Sequence, residues 1–193
     1  IPLRAVQSGA LGRFDAVDPT DGGQSERLAF SGAWRTSTAS SRSSARVTLA
    51  RTDLDLWSNF TYFLDDPVNG DQFQQTDTRT TSYLDVRHSW QTDLASLPVE
   101  HSLGVQARSD SIDNSLARTR ARQLLSPPRA YDIQQTSAAA RWQSEVRWND
   151  AWRTSVGLRG DVYDFDVASD NPANSGDEQD SILSVKFGTA WAP

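Results

Sequence analysis

Ala138–Val162, AAARWQSEVRWNDAWRTSVGLRGDV, is the stretch that decides the fold. Its even positions Ala138, Ala140, Trp142, Val146 and Trp148 are apolar, while Arg141, Gln143, Glu145 and Arg147 between them are polar or charged. After Asn149–Ala151 the alternation resumes, with Trp152, Val156, Leu158 and Val162 set against Arg153, Arg159 and Asp161. Successive side chains of a strand point to opposite faces, so the pattern predicts two strands, each with one apolar and one charged face. Directly paired residues share a face, and both apolar sets are even-numbered, so the turn between them must hold an odd number of residues. Asn149 and Asp150 are natural turn formers, which gives a three-residue loop, Asn149–Ala151, closed by Trp148 opposite Trp152. Trp142 then lies opposite Leu158, and Arg141 opposite Arg159. That like-charge pair is unfavourable, and Asp161 beside Arg141 and Glu145 beside Arg153 are expected to offset it. Shifting the pairing by two, with Arg141 opposite Asp161 and Trp152 in the turn, is the competing register.

The same period recurs along the chain. Leu28, Phe30 and Trp34 alternate between Arg27 and Arg35, and Ala45, Val47 and Leu49 between Arg46 and Thr48. This second segment runs on to about Leu64 with Leu54, Leu56, Phe60 and Tyr62 in the opposite phase. A bulge near Arg51–Asp53, or exit from lipid there, accounts for the switch. About Arg79–Gln91 presents Leu84, Val86, His88 and Trp90 on one face, and Val99–Asp110 presents Val99, His101, Leu103, Val105 and Ala107. The pair already described spans about Gln134–Trp148 and Trp152–Val167, and Leu183–Trp191 sets Leu183, Val185, Phe187 and Trp191 against Ser184 and Lys186. No segment has comparable support as a helix. The expected fold is all-β, an antiparallel up-and-down meander of about seven long strands, open rather than closed.

Connections alternate in length: short at about Thr36–Ser44, Thr92–Pro98 and Asn149–Ala151, long and polar at Asp65–Thr78, Ser111–Tyr131 and Ala168–Ser181. Short turns at one end and long loops at the other are the pattern of outer-membrane barrels. Trp34, Trp90, Trp148, Trp152 and Trp191 all sit on the apolar phase beside the short turns. Indole rings favour the headgroup level of a bilayer, so these five read as one membrane-interface girdle. A soluble β-sandwich would instead bury its Trp at mid-strand between two sheets.

Composition narrows function. The chain has 193 residues, no Cys, no Met and a formal charge of −6. Lack of Cys removes disulfides and thiolate sites, and the acidic balance argues against nucleic acid as a partner. Its low mean hydropathy is no obstacle to a barrel, in which only every second side chain meets lipid. Without Met, residue 1 is not expected to be a translation start. No catalytic motif is present. His88 and His101, the only two histidines, share the apolar phase near Trp90 and read as interfacial rings rather than ligands or bases. The acidic groups Asp65/Asp66 with Asp71, Asp164/Asp166 and Asp177/Glu178/Asp180 match no calcium loop and read as solvated. No enzyme activity, metal or cofactor is expected. On the polar phase Arg87, Arg108, Arg141, Glu145, Arg147, Arg153, Arg159 and Asp161 are the candidate lumen-facing residues. They would face an anionic ligand or an acidic plug, or pair with one another and with Asp85 and Glu100; the pairing is favoured, because barrel lumens are generally charge-laced.

Three stretches, Ser58–Gln75 (SNFTYFLDDPVNGDQFQQ), Gly157–Gly176 (GLRGDVYDFDVASDNPANSG) and Ala16–Gly23 (AVDPTDGG), resemble the barrel region of TonB-dependent outer-membrane receptors. The alternating pattern extends the resemblance over nearly the whole chain. In that family a 22-strand barrel encloses an N-terminal plug, and the periplasmic TonB protein pulls on the plug to admit ligand. The resemblance implies that residues 1–193 are an internal segment of such a barrel domain, with the plug and remaining strands outside it. It implies a bacterial outer-membrane location, and outer-membrane lipid, the chain's own plug and missing strands, TonB acting through that plug, and an extracellular small-molecule ligand as partners. Energy-coupled uptake of a ferric siderophore, cobalamin or glycan is the implied function. A small complete barrel serving as adhesin or structural protein, or a soluble β-sandwich binding module, are the alternatives.

Overall fold

The computed structural model describes residues 2–192; Ile1 and Pro193, the ends of the expected segment, lie outside the described residues. After a five-residue helix, α1 (Leu3–Gln7), the chain forms β1 (Gly22–Ser37), β2 (Ser41–Ser58), β3 (Phe73–Leu94), β4 (Leu97–Arg120), a two-residue β5 (Gln123–Leu124), β6 (Arg129–Arg147), β7 (Trp152–Ser169) and β8 (Gly176–Trp191). The long strands form one antiparallel sheet in the order β1-β2-β3-β4-β6-β7-β8, with β5 folded back on β4. The fold is the expected open up-and-down meander, each long strand pairing with its neighbour in sequence. No second sheet covers it among the described residues, which by themselves form no sandwich.

The hairpin at Asn149–Ala151 has the derived register. Trp142 pairs with Leu158 and Arg141 with Arg159, and the Trp148 N–H donates to the Trp152 carbonyl at 3.0 Å. The two indoles tilt against each other at 6.3 Å.

Most strands are longer than their alternation suggested. β4 continues to Arg120 through a segment read as loop, and β8 begins at Gly176 rather than Leu183. No bulge interrupts β2: its pairing with β1 runs unbroken from Gly22↔Trp57 to Ser37↔Arg42, and with β3 from Ser41↔Trp90 to Ser58↔Phe73. The phase switch at Arg51 is therefore a change of side-chain chemistry on a continuous strand. Leu54 and Leu56 turn onto the same face as Arg46 and Thr48. β2 also stops at Ser58, short of Leu64.

Single-sheet architecture leaves little core. Val99, Ile112, Ala117 and Ala139 are the buried apolar residues, whereas many large apolar side chains are exposed.

Candidate functional site

Following the register across the sheet separates two chemically distinct faces. One carries Leu28, Phe30 and Trp34 of β1; Ala45, Val47 and Leu49 of β2; and Leu84, Val86 and Trp90 of β3. It continues through Leu103 and Val105 of β4, Ala140 and Trp142 of β6, Val156 and Leu158 of β7, and Val185 and Phe187 of β8. From the short turns up to Leu28, Leu49, Ser82, Ser109, Thr136, Val162 and Ser181, this face holds no Asp, Glu, Lys or Arg on any of the seven strands. Apart from the buried Val99, its large apolar side chains are largely uncovered: Phe187 is 72 % exposed and Leu183 likewise.

All five rim tryptophans lie on this face. Trp148, Trp152 and Trp191 occupy one register row, with Trp34 and Trp90 near the other short turns. Two of the indole N–H groups are served locally, the Trp148 Nε1–H by Thr154 Oγ1 at 2.9 Å and the Trp152 Nε1–H by Thr189 Oγ1 at 2.8 Å. A satisfied indole N–H lets the ring lie against an apolar surface without a desolvation cost.

Arg87, Arg108, Arg141, Glu145, Arg147, Arg153, Arg159 and Asp161 all fall on the opposite face. Four of the five arginine–carboxylate pairs on that face draw on them: Arg108–Asp110 at 2.6 Å, Arg159–Asp161 at 2.6 Å, Arg141–Asp85 at 3.2 Å and Arg153–Glu145 at 3.7 Å; Arg79–Asp77 is the fifth. The expected Arg153–Glu145 diagonal forms. Arg141 does not turn to Asp161; it crosses Gly104 to reach Asp85, where a Cβ on Gly104 would collide with the Arg141 side chain. Gln106 joins the pairs, donating to Asp85 at 2.7 Å and Tyr83 Oη at 3.0 Å while accepting from Arg159 at 2.9 Å. The Arg141–Arg159 repulsion is thus relieved by Asp85, Asp161 and Gln106 together. Arg87, Arg147, Lys186 and Glu100 have no ion-pair partner among the described residues. Arg87 and Lys186 flank a recess of about 380 Å³ with Arg141 and Arg159, a surface that favours anionic groups.

Asp53, Asp77 and Asp110 are paired acids that sequence reasoning missed. A same-strand Arg-x-Asp or Asp-x-Arg spacing puts both side chains on one face, and four of the six ion pairs have it: Arg51–Asp53, Asp77–Arg79, Arg108–Asp110 and Arg159–Asp161.

A second structured region, absent from the sequence reading, lies at the long-loop end. Asp71 is almost fully buried and accepts from Thr61 Oγ1 and the N–H groups of Leu64, Asp65 and Asp66 at 2.8–3.0 Å. The Asp65 N–H foremost, with those other donors, holds the Asp71 carboxyl below the usual range. Gln72 links Thr20 to Thr119, and the Arg122 guanidinium lies 4.8 Å over the Trp57 ring while donating to the Thr20 carbonyl. The group expected to be solvated acid is in part a built loop anchor.

No protein-family model matches the sequence, and no curated protein matches it. Among solved structures the chain is similar to the ferric citrate transporter FecA in its unliganded form, with a TM-score of 0.74 and 12 % identity over 92 % of this chain and 26 % of that one. The fold is that of a barrel segment. This chain spans about a quarter of the length of that transporter, and likeness at such low identity carries the architecture alone.

Proposed function

We propose that this chain is a segment of a TonB-dependent outer-membrane receptor, its apolar face toward lipid and its charged face toward a lumen. The uncharged face spanning seven strands is the observation that carries this reading. Charged side chains facing hydrocarbon are costly, and here they are confined to the other face. The Trp row adds a geometric argument. The register row through Trp34 reaches β8 at Leu183, eight residues from Trp191. At about 3.3 Å per residue and about 4.8 Å per strand, a level Trp row implies strands tilted by about 40°, as in transmembrane barrels. At that tilt the β6 stretch Ala138–Trp148 gives a belt about 25 Å tall, the expected thickness. The strand ends beyond the belt would then project on the extracellular side.

In this role the chain works with a plug and further strands, and TonB acts through that plug. A scarce nutrient such as a ferric siderophore, cobalamin or glycan is the cargo. Membrane fractionation tests the placement: the protein is expected in the outer-membrane fraction, and recovery in the soluble fraction would overturn the reading. Deleting the segment from its parent polypeptide is expected to abolish growth on one limiting nutrient of these classes.

A further inference from the structure

Within the uncharged belt one island is polar. Ser41, Trp90, His101 and Ser144 form a single register row across β2, β3, β4 and β6, and Ser43 and His88 lie in the adjoining row. His88 and His101 both stack against Trp90, at 5.5 and 5.3 Å. Ser43 Oγ meets His88 Nδ1 at 2.8 Å, while His101 joins Ser144 through Nδ1 and Thr92 through Nε2. These imidazoles are the only titratable side chains on the belt. No carboxylate shares the face here: Glu100, Glu145 and Asp85 all point to the other side by register.

Most of the cluster's polar atoms are engaged within it, and His88 Nε2 is the ring nitrogen without a partner among the described residues. The unpartnered His88 Nε2 is poorly matched to hydrocarbon and well matched to a hydrogen-bond acceptor at headgroup depth. Trp90 marks the depth at which indoles prefer headgroups, and absence of carboxylates leaves nothing to repel an anion. We infer that Ser41, Ser43, His88, His101 and Ser144 form a binding site for the phosphate of a phospholipid headgroup at the short-turn rim. The inference rests on the proposed lipid-facing orientation of this face. The acceptor fits better than a cation, because imidazoles that are already hydrogen-bonded to hydroxyls gain a charge-assisted bond when a phosphate oxygen replaces or joins them. It also gives the imidazoles a function beyond stacking.

Two measurements on the full chain in phosphatidylethanolamine–phosphatidylglycerol vesicles test it. The first is quenching of tryptophan fluorescence by tail-brominated phospholipid, which reports the orientation. The second is solid-state NMR dephasing of the ¹⁵N-histidine signals by lipid ³¹P, with the two signals assigned through His88→Gln. The site predicts quenching together with loss of imidazole intensity at both histidines on ³¹P recoupling. Quenching without dephasing at either histidine would overturn the site and leave the orientation standing. Absence of quenching would remove the orientation and the site with it.

Discussion

Gly104 is a glycine because the Arg141 arm lies where its Cβ would be. The neighbour that must move is a flexible side chain, so Gly104→Ala should fold, but with Arg141 displaced from Asp85. The expected loss is about 1 kcal/mol in equilibrium unfolding, the usual worth of one such interaction; an unchanged unfolding midpoint would show that the crossing adds nothing. Asp71 works in the opposite way, by receiving. Its folded-state pKa is lowered, so what it contributes is present above the ordinary carboxyl range and is lost as pH falls through the depressed value. Acidification through that window is therefore expected to lower the protection of the Leu64, Asp65 and Asp66 amides relative to their intrinsic exchange rates, since Asp71 accepts their N–H groups. Asp71→Asn, which keeps the shape but loses the charge and one acceptor oxygen, should speed exchange there at neutral pH and flatten the pH dependence. Protection indifferent to both would show that the loop is held by something else.

At the scale of the element, legibility followed solvent. Where a strand has lipid or apolar surroundings on one side and polar ones on the other, the period of two is in the sequence, and the β6–β7 register followed from parity and turn chemistry alone. Residues 111–120 of β4 are Ser, Ile, Asp, Asn, Leu, Ala, Arg and Thr in no clean alternation. Backbone pairing with β3 continues there regardless, because ladder hydrogen bonds do not depend on side-chain polarity. The short connection at Thr92–Pro98 was legible, but which residues turn was not. Ala95–Ser96 and Ala121–Arg122 take positive φ at 50°, 65°, 49° and 66°, a geometry usually signalled by Asn-Gly, and here no such signal exists. The candidate arginines were legible through parity, but their partners were not: Arg141 reaches Asp85 only because β4 lies between them and offers a glycine. A cross-link tests the hairpin register. Ser144→Cys with Val156→Cys, directly opposite in the structure, should oxidise readily in this Cys-free chain, and Ser144→Cys with Leu158→Cys, opposite in the shifted register, should not. The reverse preference would refute the pairing.

For the molecule as a whole, charge and apolar area are sorted by face. The formal charge of −6 is spread so that the belt carries none of it, while acids such as Asp113, Asp132 and Asp166 sit on the same face beyond the belt. β1 and β8 end the sheet with unpaired edges, and a contiguous exposed apolar face of this breadth is far larger than soluble monomers carry. The full chain is accordingly expected to associate in detergent-free buffer and to disperse in detergent. A sharp monomer by light scattering without detergent would count against a lipid-facing belt.

The most direct test of the central claim, one face to lipid and the other away from it, reads the two faces residue by residue. Single cysteines at Val105, Leu158 and Val185 on the apolar face, and at Gln106, Arg159 and Ser184 on the charged face, would each carry a spin label in the full chain reconstituted in lipid vesicles. Accessibility to oxygen, which partitions into hydrocarbon, is then compared with accessibility to a water-soluble nickel chelate. The account predicts oxygen dominance at the first three positions and chelate dominance at their sequence neighbours. Six labels with the same preference, or a preference that fails to alternate between adjacent residues, would contradict it.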